Sequence, residues 1–103
     1  MSVLLEFSMF PTDVGESKSE YVSKIVKMVS QSGYPYQLTA MSTLIETYTV
    51  EEALEVVQNA YAILEPHSSR VYSSIKMDIR KGKTGRLKAK IASVEKHIGE
   101  VSK

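Results

Sequence analysis

An α+β domain of order β-α-β-β-α-β with an added C-terminal helix is predicted by three features of this chain. Two long runs of period two, Val3 to Phe10 and Arg70 to Arg80, read as strands. Two stretches with capping-box spacing, Ser17-Lys18-Ser19-Glu20 and Thr49-Val50-Glu51-Glu52, each open an apolar pattern of helical period. Between the helices, Tyr34 to Thr39 and Thr43 to Tyr48 form a hairpin with its turn at Ala40-Met41-Ser42. This order is the ferredoxin-like split βαβ arrangement, in which right-handed crossovers put both helices on one face of an antiparallel sheet.

The first strand has apolar groups of both parities, Val3, Leu5, Phe7 and Met9 alternating with Leu4, Glu6, Ser8 and Phe10, and Pro11 ends it. A helix is expected from about residue 18, with Tyr21, Val22, Ile25, Val26 and Val29 as its apolar stripe. Gly33 can take the left-handed conformation that follows a last helical turn. In the second helix the expected stripe is Val50, Ala53, Leu54, Val57, Tyr61 and Leu64, broken at Pro66. The last strand sets Val71, Ser73, Ile75, Met77 and Ile79 against Arg70, Tyr72, Ser74, Lys76, Asp78 and Arg80. After the basic loop Lys81-Gly82-Lys83-Thr84-Gly85, residues Leu87, Ile91, Val94 and Ile98 mark one narrow face of a third helix. The sheet face opposite the first two helices is expected to stand open, and its apolar residues predict that another subunit covers it.

Composition narrows the classes. The 103 residues make one domain, 1–103, with an ordinary apolar fraction of 43% and no run long enough for a membrane span. The start has no basic leader and Glu6 interrupts its apolar run, so the cytoplasm is the expected compartment. Without cysteine there is no disulfide, thiolate nucleophile or cysteine metal site. A net charge of +1 gives no general attraction to nucleic acid or anionic membrane.

Individual motifs add little catalysis. Gly82-Lys83-Thr84 imitates the end of a phosphate loop, but the motif would need glycine where Met77 stands. Arg80, Lys81, Lys83, Arg86, Lys88 and Lys90 form a basic run without interleaved aromatics, which reads as a solvated loop and helix start. RNA-recognition modules share the element order, yet Thr43-Leu44-Ile45-Glu46-Thr47-Tyr48 lacks their glycine-aromatic signature. Of two histidines, His67 sits in a break and His97 near a helix end, so no metal site and no catalytic residue is expected. His67 is the base an enzymatic reading would need. A third reading is a regulatory module that binds another protein through its open sheet face.

The stretch Gly33 to Glu46 concentrates polar and aromatic groups: Tyr34, Tyr36, Met41, Ser42, Thr43 and Glu46. Thr43 and Glu46 are separated by an odd number and so face opposite sides of a regular strand. That favours a pocket at a strand end or subunit boundary. Asp78 is expected beside Glu46 on an adjoining strand, as a carboxylate pair for a polar heterocycle or for salt links with Lys76 and Arg80.

Taken together, Met9-Phe10-Pro11, Gly33-Tyr34-Pro35-Tyr36-Gln37-Leu38-Thr39, Ser42-Thr43-Leu44-Ile45-Glu46, Arg70-Val71, Ile75-Lys76-Met77-Asp78-Ile79-Arg80 and Lys90-Ile91-Ala92-Ser93-Val94-Glu95 resemble the small thiamine-binding-protein family. The resemblance spans nearly the whole chain. It implies a ferredoxin-like subunit, assembly into dimers or tetramers, and binding of thiamine or its hydroxymethylpyrimidine part without catalysis or a further cofactor. Thr43 and Glu46 match the family's T-x-x-E element and Asp78 its strand-four acid, whereas Ser42 and Thr47 depart from the usual neighbours. The expected ligand contacts are then Thr43, Glu46, Ser42, Met41, Tyr36 and Asp78. An aminopyrimidine would take a carboxylate at its amine and a hydroxyl at a ring nitrogen, Tyr36 would suit a thiazolium, and Met41 would pack on the ring edge.

Overall fold

The computed structural model describes residues 1–15 and 18–102. Their order is β1 (Ser2–Pro11), α1 (Lys18–Ser30), β2 (Tyr36–Leu38), β3 (Thr43–Thr47), α2 (Val50–Leu64), a short 3-10 turn (Glu65–His67), β4 (Val71–Arg80) and α3 (Arg86–Ile98). Among the described residues the sheet is four-stranded, in the order β2-β3-β1-β4, with every neighbouring pair antiparallel. The predicted ferredoxin-like α+β architecture is therefore the one observed.

β1 is central, and its odd-numbered residues carry the core. Val3 and Leu5 are fully buried and Phe7 nearly so, against Ile25 and Val29 of α1 and Ala53, Val56, Ala60 and Leu64 of α2. Burying a side chain such as Phe7 contributes about 1.5–3 kcal/mol. The buried face of α2 keeps the expected Ala53 and Leu64 but is turned slightly from the stripe the sequence suggested: Leu54 and Tyr61 are exposed, while Val56 and Ala60 point inward. Small Ala53 and Ala60 leave room for the helix to sit close to β1, so side-chain size, rather than the largest apolar residues, sets its rotation.

Thr49 caps α2 as expected, accepting the Glu52 N–H while the Glu52 carboxylate accepts the N–H groups of Thr49 and Tyr48. The matching box at Ser17 lies outside the described residues. Gly33 has φ +87, the left-handed conformation that turns the chain from α1 toward β2.

The second sheet face is not left open. α3 crosses it over β3 and β1, with Leu87 and Ile91 half-buried and Val94 and Ile98 exposed. Its narrow stripe covers only part of the face. β4 forms an edge, so Ile75 and Ile79 remain 43% and 51% exposed on the helix-bearing side. No helix among the described residues is long and apolar enough to cross a membrane.

Candidate ligand site

The β2–β3 turn is held by one side chain. Thr39 Oγ1 accepts the N–H groups of Met41 and Ser42 at 3.2 and 3.1 Å and donates to the Ser42 carbonyl at 3.0 Å. Ser42 Oγ in turn donates to Glu6 Oε2 at 3.0 Å, tying the turn to β1. Threonine suits this position because its hydroxyl can replace strand partners where the ladder ends.

Beneath the turn, between β1 and α1, lies a cavity of about 130 Å³ lined by Phe7, Met9, Val22, Ile25, Val26 and Thr43, with Met41 and Ser42 at the hairpin. Thr43 pairs with Phe7 across the sheet and shares its helix-bearing face. It is 6% exposed, and its hydroxyl has no hydrogen-bond partner among the described residues. Every fully buried side-chain polar atom there is partnered, so this hydroxyl must reach open space. Leu38 and Met41, 56% and 85% exposed, present apolar surface on the same hairpin. A volume near that of an engineered cavity that accepts benzene, about 150 Å³, suits one six-membered ring.

Glu46 occupies the other face, where it organises α3. Its carboxylate accepts the Arg86 N–H at 3.1 Å and the Leu87 N–H at 3.0 Å, capping a helix whose preceding Gly85, at φ +69, offers no side chain. Burial pushes the Glu46 carboxyl up, but the amides of Leu87 and Arg86, with Ser2 and Gly85, outweigh it and hold it below its ordinary value. Arg86 is itself buried. Nε donates to Ser2 Oγ at 2.8 Å, Nη2 to the Ser2 and Asp78 carbonyls, and Nη1 to Asp78 Oδ2 at 2.9 Å. Nothing in the sequence separated Arg86 from its basic neighbours; an arginine opening a helix, where an acid is usual, was the one available signal.

The six expected contacts thus fall into two groups. Met41, Ser42 and Thr43 line the cavity under α1. Glu46 and Asp78 join α3 to the sheet, and Tyr36 lines a groove against α3 with Gln37, Leu87 and Ile91. Thr43 and Glu46 do lie on opposite faces, as their spacing required. Asp78 and Glu46 are not on adjoining strands: both pair with Leu4, because the split crossover inserts β1 between β3 and β4. Tyr34 packs against the core. Burial, then the neighbouring Glu52 carboxylate, pushes its phenol up. His67 is exposed beyond α2, its ring 5.3 Å from that of Tyr21.

A small split βαβ domain with a ring-sized cavity under its hairpin is the class these features define. A family profile described as "Thiamine-binding protein" matches residues 5–95, and the chain belongs to that family. It is 41% identical over 98 residues to an uncharacterised-family (UPF0045) protein of Mycobacterium bovis, covering 95% of this chain and 96% of that one. A UPF0045 protein of Methanothermobacter thermautotrophicus is 34% identical over 80% of this chain and 84% of its own. Among solved structures, a hypothetical protein of Methanocaldococcus jannaschii superposes with TM-score 0.75 at 31% identity, over 97% of this chain and 98% of that one. A candidate thiamine biosynthesis/salvage protein of Thermotoga maritima gives TM-score 0.79 at 18% identity, over 91% and 99%, a likeness of fold alone.

Proposed function

We propose that this chain binds thiamine or a related hydroxymethylpyrimidine without transforming it, as a homo-oligomer in the cytoplasm. The observation that carries the reading is the Thr43 hydroxyl, unpartnered among the described residues, beside a ring-sized apolar cavity, in a chain that belongs to the thiamine-binding protein family. The hydroxyl donates to a pyrimidine nitrogen, carbonyls of the turn accept from the exocyclic amine, and Phe7 and Met41 pack on the ring. Apolar Leu38 and Met41 on the hairpin are the surface a second subunit covers, so the pocket is completed at an interface. A binding role without catalysis is supported by the lining itself, whose described residues offer hydroxyl, aliphatic, thioether and aromatic side chains and no histidine, lysine or carboxylate.

Amide chemical-shift mapping with hydroxymethylpyrimidine tests the placement. Met41, Ser42 and Thr43 are expected to move most. Shifts confined to Gln37, Leu87 and Ile91 would instead put the ligand in the groove beneath α3.

A further inference from the structure

The geometry points to the backbone of Met9 as the group that reads the heterocycle: its N–H donates to a ring nitrogen and its C=O accepts from the amine beside that nitrogen. This rests on the proposed binding of an aminopyrimidine beneath the turn, and it names the edge of the ring that is recognised.

Within a strand the N–H and C=O of one residue point to the same neighbour, and successive residues point to opposite neighbours. The Thr12 N–H donates to the Arg70 carbonyl at 2.9 Å, continuing the register in which Pro11 opposes Val71. Even-numbered residues of β1 therefore bond to β4, and odd-numbered ones turn toward β3. β3 agrees with this. The Glu46 N–H donates to the Pro35 carbonyl at 2.9 Å, so even-numbered residues there serve β2, while Thr43, Ile45 and Thr47 serve Phe7, Leu5 and Val3.

The pairing of β1 with β3 ends at Phe7 and Thr43, yet β1 runs on to Pro11. Met41 would oppose Met9 if the register continued. It does not continue, because Thr39 Oγ1 holds the Met41 N–H at 3.2 Å and the Thr39 N–H donates to the Ser42 carbonyl at 2.9 Å, closing the turn toward β2. The N–H and C=O of Met9 are left without a strand partner among the described residues, on a buried residue that lines the cavity beneath the turn. Buried backbone groups are nearly always paired, so this pair calls for a partner. The opening is one residue wide. Phe7 on one side is engaged by Thr43, and Pro11 on the other has no N–H to give, so a further strand could not extend along it. A single ring fits there. An aminopyrimidine sets an acceptor nitrogen beside a donor amine, the complement of one residue's N–H and C=O, and its second ring nitrogen is left for the Thr43 hydroxyl.

Amide shifts and hydrogen exchange of the isotope-labelled protein, titrated with hydroxymethylpyrimidine and with thiamine, test this. At saturation with either compound the Met9 amide should move downfield along with those of the turn, and its exchange should slow about tenfold or more. The amides of Leu5 and Phe7, already in the ladder, should change little. The hydroxymethylpyrimidine analogue with hydrogen in place of the amine leaves the Met9 carbonyl unpaired and should bind about tenfold more weakly or worse. Saturation that leaves the Met9 amide unmoved and unprotected, or an analogue that binds as tightly as the parent, overturns the assignment to Met9 while leaving the binding reading in place. A protein that binds neither hydroxymethylpyrimidine nor thiamine overturns both.

Discussion

Glu46 and Arg86, forty positions apart, meet through the backbone: the Glu46 carboxylate accepts the Arg86 N–H at 3.1 Å, while the Arg86 side chain reaches past it to Ser2 and Asp78. One acid and one base, with the Ser2 hydroxyl between them, fasten α3 to the sheet. Replacing Glu46 by alanine leaves two amides without their acceptor and should cost about 1–3 kcal/mol in denaturant unfolding. Glu46→Gln, which keeps one acceptor, should cost less. Hydrogen exchange at Arg86 and Leu87 should quicken in both variants, and unchanged exchange would remove Glu46 from the cap.

Acid should loosen the molecule through carboxylates that folded-state hydrogen bonds hold low, Asp13 and Glu46 among them. Asp13 accepts from the hydroxyls of Ser68 and Ser69 and from the Ser69 N–H, bonds that lower its pKa from 3.8 to about 2 and tie the loop after β1 to the one before β4. A carboxyl held low in the folded state binds protons less readily than when unfolded. Its contribution is therefore complete above the unfolded value and is lost as pH falls through the folded one, here between 3.8 and about 2. Glu46, also held low, acts in the same direction below its ordinary 4.5. Denaturation midpoints should fall with pH across this window, and Asp13→Asn should flatten the slope below pH 3.8.

Much of this fold could be read from local pattern. Period two marked β1 and β4, the Thr49–Glu52 box marked the start of α2, and the polar turn marked the hairpin, because each signal is written within a few residues of its cause. The placement of α3 was not legible, since it depends on Glu46 and Arg86 recognising each other across forty positions with no periodic signature. The rotation of α2 was misread only in part: Ala53 and Leu64 are buried as expected, but close approach favours Ala60 over Tyr61, and a search for large apolar residues passes over it. Of the site, the parity argument separated Thr43 from Glu46 correctly, but the carboxylates' engagement with α3 needed three dimensions.

The α2 cap gives a local check. Thr49→Ala removes the acceptor for the Glu52 N–H and should lower stability by about 1 kcal/mol. Thr49→Ser, which keeps the hydroxyl, should restore most of it in thermal unfolding.

Thr43 provides the sharpest test of the cavity. Thr43→Val keeps shape and strand preference while deleting the hydroxyl that faces the space beneath the turn. Loss of one neutral hydrogen bond is expected to weaken hydroxymethylpyrimidine binding by about 1 kcal/mol, roughly fivefold. The variant's folding midpoint should change little, since the hydroxyl has no partner among the described residues. Equal affinity in the two proteins would take Thr43 out of the site.

Calorimetric titration of the unmodified protein with thiamine and with hydroxymethylpyrimidine tests the central claim most directly. The account predicts saturable heat with one ligand, at one site per chain, and a rise in unfolding temperature with ligand concentration. No heat and no thermal shift from either compound at millimolar concentration would contradict it.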